Sequence, residues 1–519
     1  MSFATQFILS AVCLLVAVRL WLRKRTNIPR VGGPGPHGYI WTALRSVFDC
    51  NSVVEEGCRQ FDGKPFVLPT LGGDMVVLGP DNVELLRKSD DSVFNAPERA
   101  QQLFQINLQF GDFASNPYHL ETILRSDLTK ALKSLTPDLL EEAQLAIPET
   151  LGMKGSESVT VPLFDTMVNL LGRVSNRAMI GLPGCRDQRF LKQQVKLATT
   201  VISLAQFLNW FPEFLKPVIY KIVSLFIGGT RAVVPLLTPH LQSRIDYAQQ
   251  DNPQTITDIL LKFTPEEDIV NPERLAVRVA HLNMASIHTS AIFTTHALFE
   301  LALFTPAQMK EIRDEITAAI DEEGGVCNKN AVGKMYKLDS LLKEIGRWHP
   351  LFAVGMSRVT LSDAVIADGT VIPKGSVVAI APKVVHYSPE IYDHPEDFDP
   401  FRFSKMRQSA GGNESKHAFT ALSSDYLLFG TGRVLHPTRL CVLADIMMKE
   451  TCMSWKILCR SEDQSYLGRD TSELRCFLST RQGRETEGDA FQPLHHSQSF
   501  REVDLHSEEM LSVWGFCRL

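Results

Sequence analysis

Glu344-Ile345-Gly346-Arg347, then Phe398-Asp399-Pro400-Phe401-Arg402-Phe403, then Phe429-Gly430-Thr431-Gly432-Arg433, is the ordered set of patches on which the reading of this chain turns. Each is weak alone: an E-x-x-R occurs by chance in many helices, an F-G-x-G in many loops. Three in this order between residues 344 and 433 are far more specific. Glu344 and Arg347 lie three apart, so on a helix they share a face and can pair. Such a pair is usually solvated and worth little. Trp348-His349-Pro350 directly after it, and Arg402 further on, argue for a buried one.

The surrounding composition narrows the class. At 519 residues, with 44% apolar residues, the chain can bury a large core and is long for one domain, though single large enzymes reach this size. A net charge of -6 offers no basic face for nucleic acid, so none is expected as a partner. The ten cysteines include no C-x-x-C pair and no regular spacing, which points away from a zinc site or a disulfide framework. No internal repeat suggests a solenoid or propeller.

Phe7 to Leu22 reads FILSAVCLLVAVRLWL and is followed by Arg23-Lys24-Arg25. The run is slightly short of a bilayer span, but Arg19 near its end can snorkel to the surface. A cleaved signal peptide is the alternative. Against it, the basic cluster follows the apolar run and no A-x-A-like cleavage site is present. The expectation is a transmembrane anchor over residues 5–22, with the body on the cytosolic side. A basic, Pro/Gly-rich hinge then covers 23–40, and its Pro/Gly run is expected to join neither helix nor strand ladder.

Phe66 to Gly79 is apolar and β-prone, with Gly72-Gly73 as the expected hairpin turn. From Asn82 to about Thr317 most segments have helical spacing, and Thr360 to Pro382 alternates again around Asp368-Gly369 and Lys374-Gly375. Periodicity alone gives a large, mostly α protein.

The ordered patches resemble the haem-binding end of the cytochrome P-450 family, the haem-thiolate monooxygenases. The resemblance implies a mostly α protein with minor β, a cytochrome P-450-like fold preceded by one N-terminal transmembrane helix. Its catalytic domain would cover 41–450, with a divergent segment over 451–519. It implies haem (iron protoporphyrin IX) as cofactor, dioxygen and an apolar small molecule as substrates, and an NADPH-dependent reductase as electron donor. It also implies a single-pass endoplasmic-reticulum location, as in fungal membrane-anchored members. In the family the counterparts of Glu344, Arg347 and Arg402 form a buried structural network. Arg125 and Arg358 fall at the two usual propionate positions, a surface salt bridge being the plain alternative for each, and Phe429, Gly432 and Arg433 belong to the cofactor loop.

The helix expected over His281–Leu301 contains Ala285-Ser286-Ile287-His288-Thr289-Ser290. It is similar to the family's central oxygen-activating stretch, in the version common in filamentous fungi. His288 stands where an acid is commonest. Thr289 would interrupt the helix ladder and donate a hydrogen bond to dioxygen. A Ser/Thr-rich buried helix packing closely on its neighbours is the bland alternative. Phe104, Leu108 and Ile292 could line a substrate pocket, with core packing the plainer role.

The loop itself departs from the family. Phe429-Gly430-Thr431-Gly432-Arg433-Val434-Leu435-His436-Pro437-Thr438-Arg439 keeps the first half of the pattern, but His436 stands where the iron-binding cysteine belongs. Val434 and Thr438 replace a propionate donor and a glycine. Histidine still binds iron, yet a neutral imidazole favours O–O cleavage less than a thiolate. Cys441, five residues on, is the alternative axial ligand. Loss of pattern from Val434 is what a mis-called intron or a shifted reading frame gives, whereas the fit of Pro437, Arg439 and Ala444 is what drift gives. The resemblance thus implies a haem-dependent monooxygenase of fungal secondary metabolism. A degenerate haem-binding pseudoenzyme and a haem-free scaffold are the alternatives.

Overall fold

A computed structural model describes residues 27–33, 35–111, 128–152, 159–247, 254–262, 264, 271–409, 414–431 and 473–476. The longer helices, in chain order, are α1 (Gly35–Phe48), α2 (Leu128–Leu151), α3 (Leu163–Met179), α4 (Gln188–Asn209), α5 (Gly229–Tyr247), α6 (Pro272–Ala302), α7 (Pro306–Asp321) and α8 (Tyr336–Trp348). The strands are β1 (Phe66–Thr70), β2 (Gly73–Leu78), β3 (Phe94–Asn95), β4 (Val159–Pro162), β5 (Gly355–Thr360), β6 (Ala364–Val365), β7 (Val371–Ile372), β8 (Val377–Ile380) and β9 (Glu473–Cys476).

Helix starts follow local chemistry. Asp187 caps α4 by accepting from the amides of Arg189 and Phe190. Asn271 followed by Pro272 starts α6, and Thr305 and Gln308 close a reciprocal capping box on α7. The largest core cluster joins α2, α3, α4, α5 and α6 through residues such as Leu139, Leu171, Ala198, Leu237 and Ile287. A second cluster packs α6, α7 and α8 against Phe419, Tyr426 and Leu428.

The main sheet has five strands in the order β1-β2-β8-β5-β3. β1 and β2 are antiparallel, with Thr70 opposite Gly73, and β2 runs parallel to β8 with Met75 opposite Val377. The two β-rich stretches of the sequence therefore join in one sheet. Only β6 and β7 make a separate hairpin within the second stretch. The first hairpin turns at Leu71-Gly72, one residue earlier than expected, because Gly73, at φ 126°, already begins β2.

The Pro/Gly segment also differs from the expectation. Arg30 bridges Val67 in parallel, Val31 donates to the Val67 carbonyl, and the Val67 amide donates to the Pro29 carbonyl. Pro29 needs only its carbonyl there, so its missing N–H costs nothing. Gly32 and Gly33, both at positive φ, turn the chain into α1, which starts at Gly35, inside the stretch expected to be hinge. Among the described residues no helix is long and apolar enough to cross a membrane. The apolar run over residues 5–22 lies outside them, as does nearly all of 451–519.

Candidate active site

α8 carries Glu344 and Arg347 on one face, as their spacing requires, and both are fully buried. Arg347 donates from Nε to Glu344 Oε2 at 2.8 Å and from Nη2 to Oε1 at 2.7 Å. Arg402 donates from Nε to the same carboxylate at 3.1 and 3.2 Å. The amide of Asp399 adds a bond of 3.0 Å. The remaining guanidinium hydrogens hold the backbone of 386–397. Arg347 reaches the carbonyls of His386, Pro395 and Asp397, and Arg402 those of Asp393, His394 and Asp397. One carboxylate and two cations thus tie α8 to the segment entering Tyr426–Thr431. Tyr392 continues the tie, its hydroxyl donating to the Asp425 carbonyl at 2.7 Å.

Gly346, inside the E-x-x-R patch, explains how closely that segment sits. A Cβ there would lie 2.2 Å from Tyr426 Oη and 2.6 Å from Leu428 Cδ2. Phe429 then packs edge-on to Phe419 at 5.2 Å, Gly430 turns at φ 72°, and Thr431 is buried. Gly432, Arg433, His436 and Cys441 lie outside the described residues, as does Arg125.

Arg358 lies on β5 and is buried, its Nη1 donating to the Ser357 carbonyl at 3.0 Å. Beside it sits Arg99, which the sequence did not single out. Its Nε donates to Ser357 Oγ at 2.9 Å. Burial lowers the affinity of both guanidiniums for their protons, Arg99 to about 10, and only Asp91 acts to offset this at Arg358. Among the described residues neither makes an ion pair. Two cations, Arg358 buried and Arg99 half-buried, meet at Ser357; they suit a ligand carrying two carboxylates, and the haem propionates fit that requirement. The local signal for Arg99 is limited to Asn95-Ala96-Pro97, whose cap and first-turn proline start a helix and place Arg99 in its first turn.

On α6, which is α-helical through the whole of 272–302, Asn283 donates to Asn176 Oδ1 of α3 at 2.6 Å. Ser286 Oγ bonds back to the Asn283 carbonyl, and Thr289 Oγ1 lies 3.5 Å from the Ser286 carbonyl. His288 is buried, and burial lowers its pKa to about 4, so the ring is neutral at physiological pH. Its Nε2 lies 3.3 Å from Thr199 Oγ1 of α4. Ile292 is buried and Phe104 packs on the helical core, while Leu108 is half-buried.

The fold and these groups define a haem protein of one family. The family model "Cytochrome P450" matches residues 74–442, and the chain belongs to the cytochrome P450 family. Cytochrome P450 monooxygenase 103 of Postia placenta is 34% identical over 449 residues, covering 84% of this chain and 88% of that protein. An ent-kaurene oxidase of Gibberella intermedia is 28% identical, covering 82% and 81%. Among solved structures, a retinoic-acid-bound cyanobacterial CYP120A1 superposes with a TM-score of 0.60 over 84% of this chain and 92% of that one, at 17% identity. That likeness shows the fold. Members of the family bind haem, and P450 monooxygenases are oxidoreductases that use dioxygen and electrons from a redox partner.

Proposed function

We propose that this chain is a haem-dependent monooxygenase that oxidises an apolar small molecule in fungal secondary metabolism, drawing electrons from an NADPH-dependent reductase. The observation that carries the reading is the pair of guanidiniums, half-buried Arg99 and buried Arg358, meeting on Ser357. Arg125 and Arg433 are proposed as further propionate partners, and Phe429 and Gly432 as parts of the cofactor loop. Haem supplies the activation of dioxygen and the insertion of one oxygen atom into a C–H bond.

The chain's own residues orient and protonate. Glu344, Arg347 and Arg402 hold the segment that leads into the cofactor loop. Thr289 presents a hydroxyl from the middle of α6, and His288 beside it serves as a neutral imidazole that can take and give a proton. The apolar run over 5–22 followed by Arg23-Lys24-Arg25 supports an endoplasmic-reticulum anchor. The family match over residues 74–442 supports a catalytic domain, proposed over 41–450; 451–519 is proposed as a divergent tail.

His436 is proposed as the axial ligand, with Cys441 as the alternative. The reduced CO complex of the purified full-length protein tests both. With His436 on iron, haem is retained but the red-shifted Soret band of thiolate ligation is absent, and His436→Cys brings it back. A thiolate band that Cys441→Ser abolishes and His436→Ala leaves intact moves the ligand to Cys441. Protein that purifies without haem under haem-replete expression overturns the reading altogether.

A further inference from the structure

α4 and α6 come close where α3 carries no side chain. Gly172 of α3 lies against both, since a Cβ there would sit 3.7 Å from Val195 Cγ2 and 3.9 Å from Ile287 Cγ2. Val195 is one helical turn before Thr199, and Ile287 immediately precedes His288. Hydrogen bonds join α4 to α6 in this region. Gln194 Nε2 donates to the Ala280 carbonyl at 3.1 Å, and Thr199 Oγ1 meets His288 Nε2 at 3.3 Å. The first ties a side chain to backbone. The second ends on the imidazole that stands in the place of an acid.

The two partners differ in their access to water. His288 is 6% exposed, whereas Thr199 is exposed. Water at Thr199 is therefore one hydroxyl away from a ring that water scarcely reaches. The Thr199 hydroxyl also lies 3.4 Å from the Val195 carbonyl of its own helix, which limits its rotation. A carboxylate can accept and release a proton at either oxygen. An imidazole does so only at two fixed ring positions, so its orientation decides whether it can serve.

We propose that Thr199 is a positioning residue for His288, its hydroxyl holding the ring on Nε2 and linking it to solvent. Proton supply next to Thr289 then depends on α4 being seated on α6. This rests on the reading of His288 as a proton-handling group given above. The consequence is a coupling between two regions. Any displacement of α4 that breaks the Thr199–His288 bond also releases the imidazole.

The test uses the full-length holoenzyme and three variants, Thr199→Val, Thr199→Ser and His288→Phe, with two readouts. The first is hydrogen–deuterium exchange of peptides covering 195–203 and 284–292, which needs no turnover. Thr199→Val and His288→Phe should each speed exchange in 195–203 by about three- to tenfold, as expected for one lost hydrogen bond. Their double variant should add nothing further, and Thr199→Ser should match the parent. The second readout is hydrogen peroxide released per NADPH oxidised with a fungal NADPH-dependent haem-protein reductase and no added substrate. Poor proton supply leaves peroxide instead of water, so Thr199→Val and His288→Phe should raise this ratio and Thr199→Ser restore it. Parent-like exchange and ratio in Thr199→Val, with a raised ratio in His288→Phe, overturns the role of Thr199 and leaves His288 standing. An unchanged ratio in His288→Phe overturns the reading of His288, and the inference with it. If NADPH is not oxidised at all, exchange decides alone, and additive effects of the two variants overturn the proposal.

Discussion

Removing the Glu344 carboxylate perturbs the most heavily bonded group of the site. Glu344→Ala deletes the acceptor of two bonds from Arg347, two contacts from Arg402 and one from the Asp399 amide. Arg347, fully buried, and Arg402, 9% exposed, are left with carbonyl partners and no anion. Breaking a buried pair in this way costs about 3–5 kcal/mol, because the orphaned charges stay out of water. Against a total stability of about 5–15 kcal/mol, that loss is about a fifth of the fold or more. Urea unfolding followed by tryptophan fluorescence should show a lower midpoint with an unchanged slope. Haem recovered per chain should fall in step, since the same network holds the approach to Phe429. Glu344→Gln should sit between, keeping the shape and one acceptor oxygen but not the charge. A loss below about 1 kcal/mol in Glu344→Ala, the worth of a surface pair, would refute the reasoning.

Gly346→Ala should cost about 1–3 kcal/mol by overpacking, because its Cβ would meet Tyr426 Oη and Leu428 Cδ2; thermal unfolding equal to the parent would contradict it. Arg99→Met should act in opposite directions on the two forms of the protein. The apoprotein gains stability by losing a desolvated cation, while haem transfer to apomyoglobin speeds up by about tenfold or more as a charge-assisted bond disappears; equal transfer rates would remove Arg99 from the cofactor site. Burial lowers His296 and His386 to about 3, with His349 adding to the shift at His296. A histidine depressed in the fold contributes its full stability above its unfolded value of about 6.5 and loses it as pH falls below that value. Each therefore costs about 1 kcal/mol between pH 7 and 5.5. His296→Phe should flatten the pH dependence of urea stability by that amount, and an identical slope would show that His296 is not held neutral.

Much of this was legible where local spacing decides the outcome. The E-x-x-R interval puts Glu344 and Arg347 on one helical face, and no other fact is needed for them to pair. Their burial was not legible from that spacing, as Glu84 and Arg87 show. That pair has the same interval, bonds at 2.7 Å, and is about 40% exposed on each side. What separates the two pairs is the 386–402 segment folded over the first. The ordered patches carried that information because they brought Arg402 into the reading. Arg99 was missed because its partner, Ser357, lies on β5, far away in the chain. The Pro/Gly segment was misjudged because a proline at a sheet edge needs only its carbonyl, and the composition rule counts the missing donor alone.

The parallel pairing of β2 with β8 has a consequence for how the chain is made. The two strands are separated by roughly 300 residues, and at about 5–20 residues per second a ribosome needs about 15–60 seconds to reach the second. During that interval Met75, Val76, Val77 and Leu78 present an apolar edge with no neighbour on one side. A nascent chain stalled between Leu78 and Val377 therefore carries a template for sticking to other chains. Once Ile380 has emerged, every strand of the five-stranded sheet exists, and nothing translated later is needed to close it. A transcript altered beyond the codon for Arg433 would still yield a chain whose sheet can complete itself.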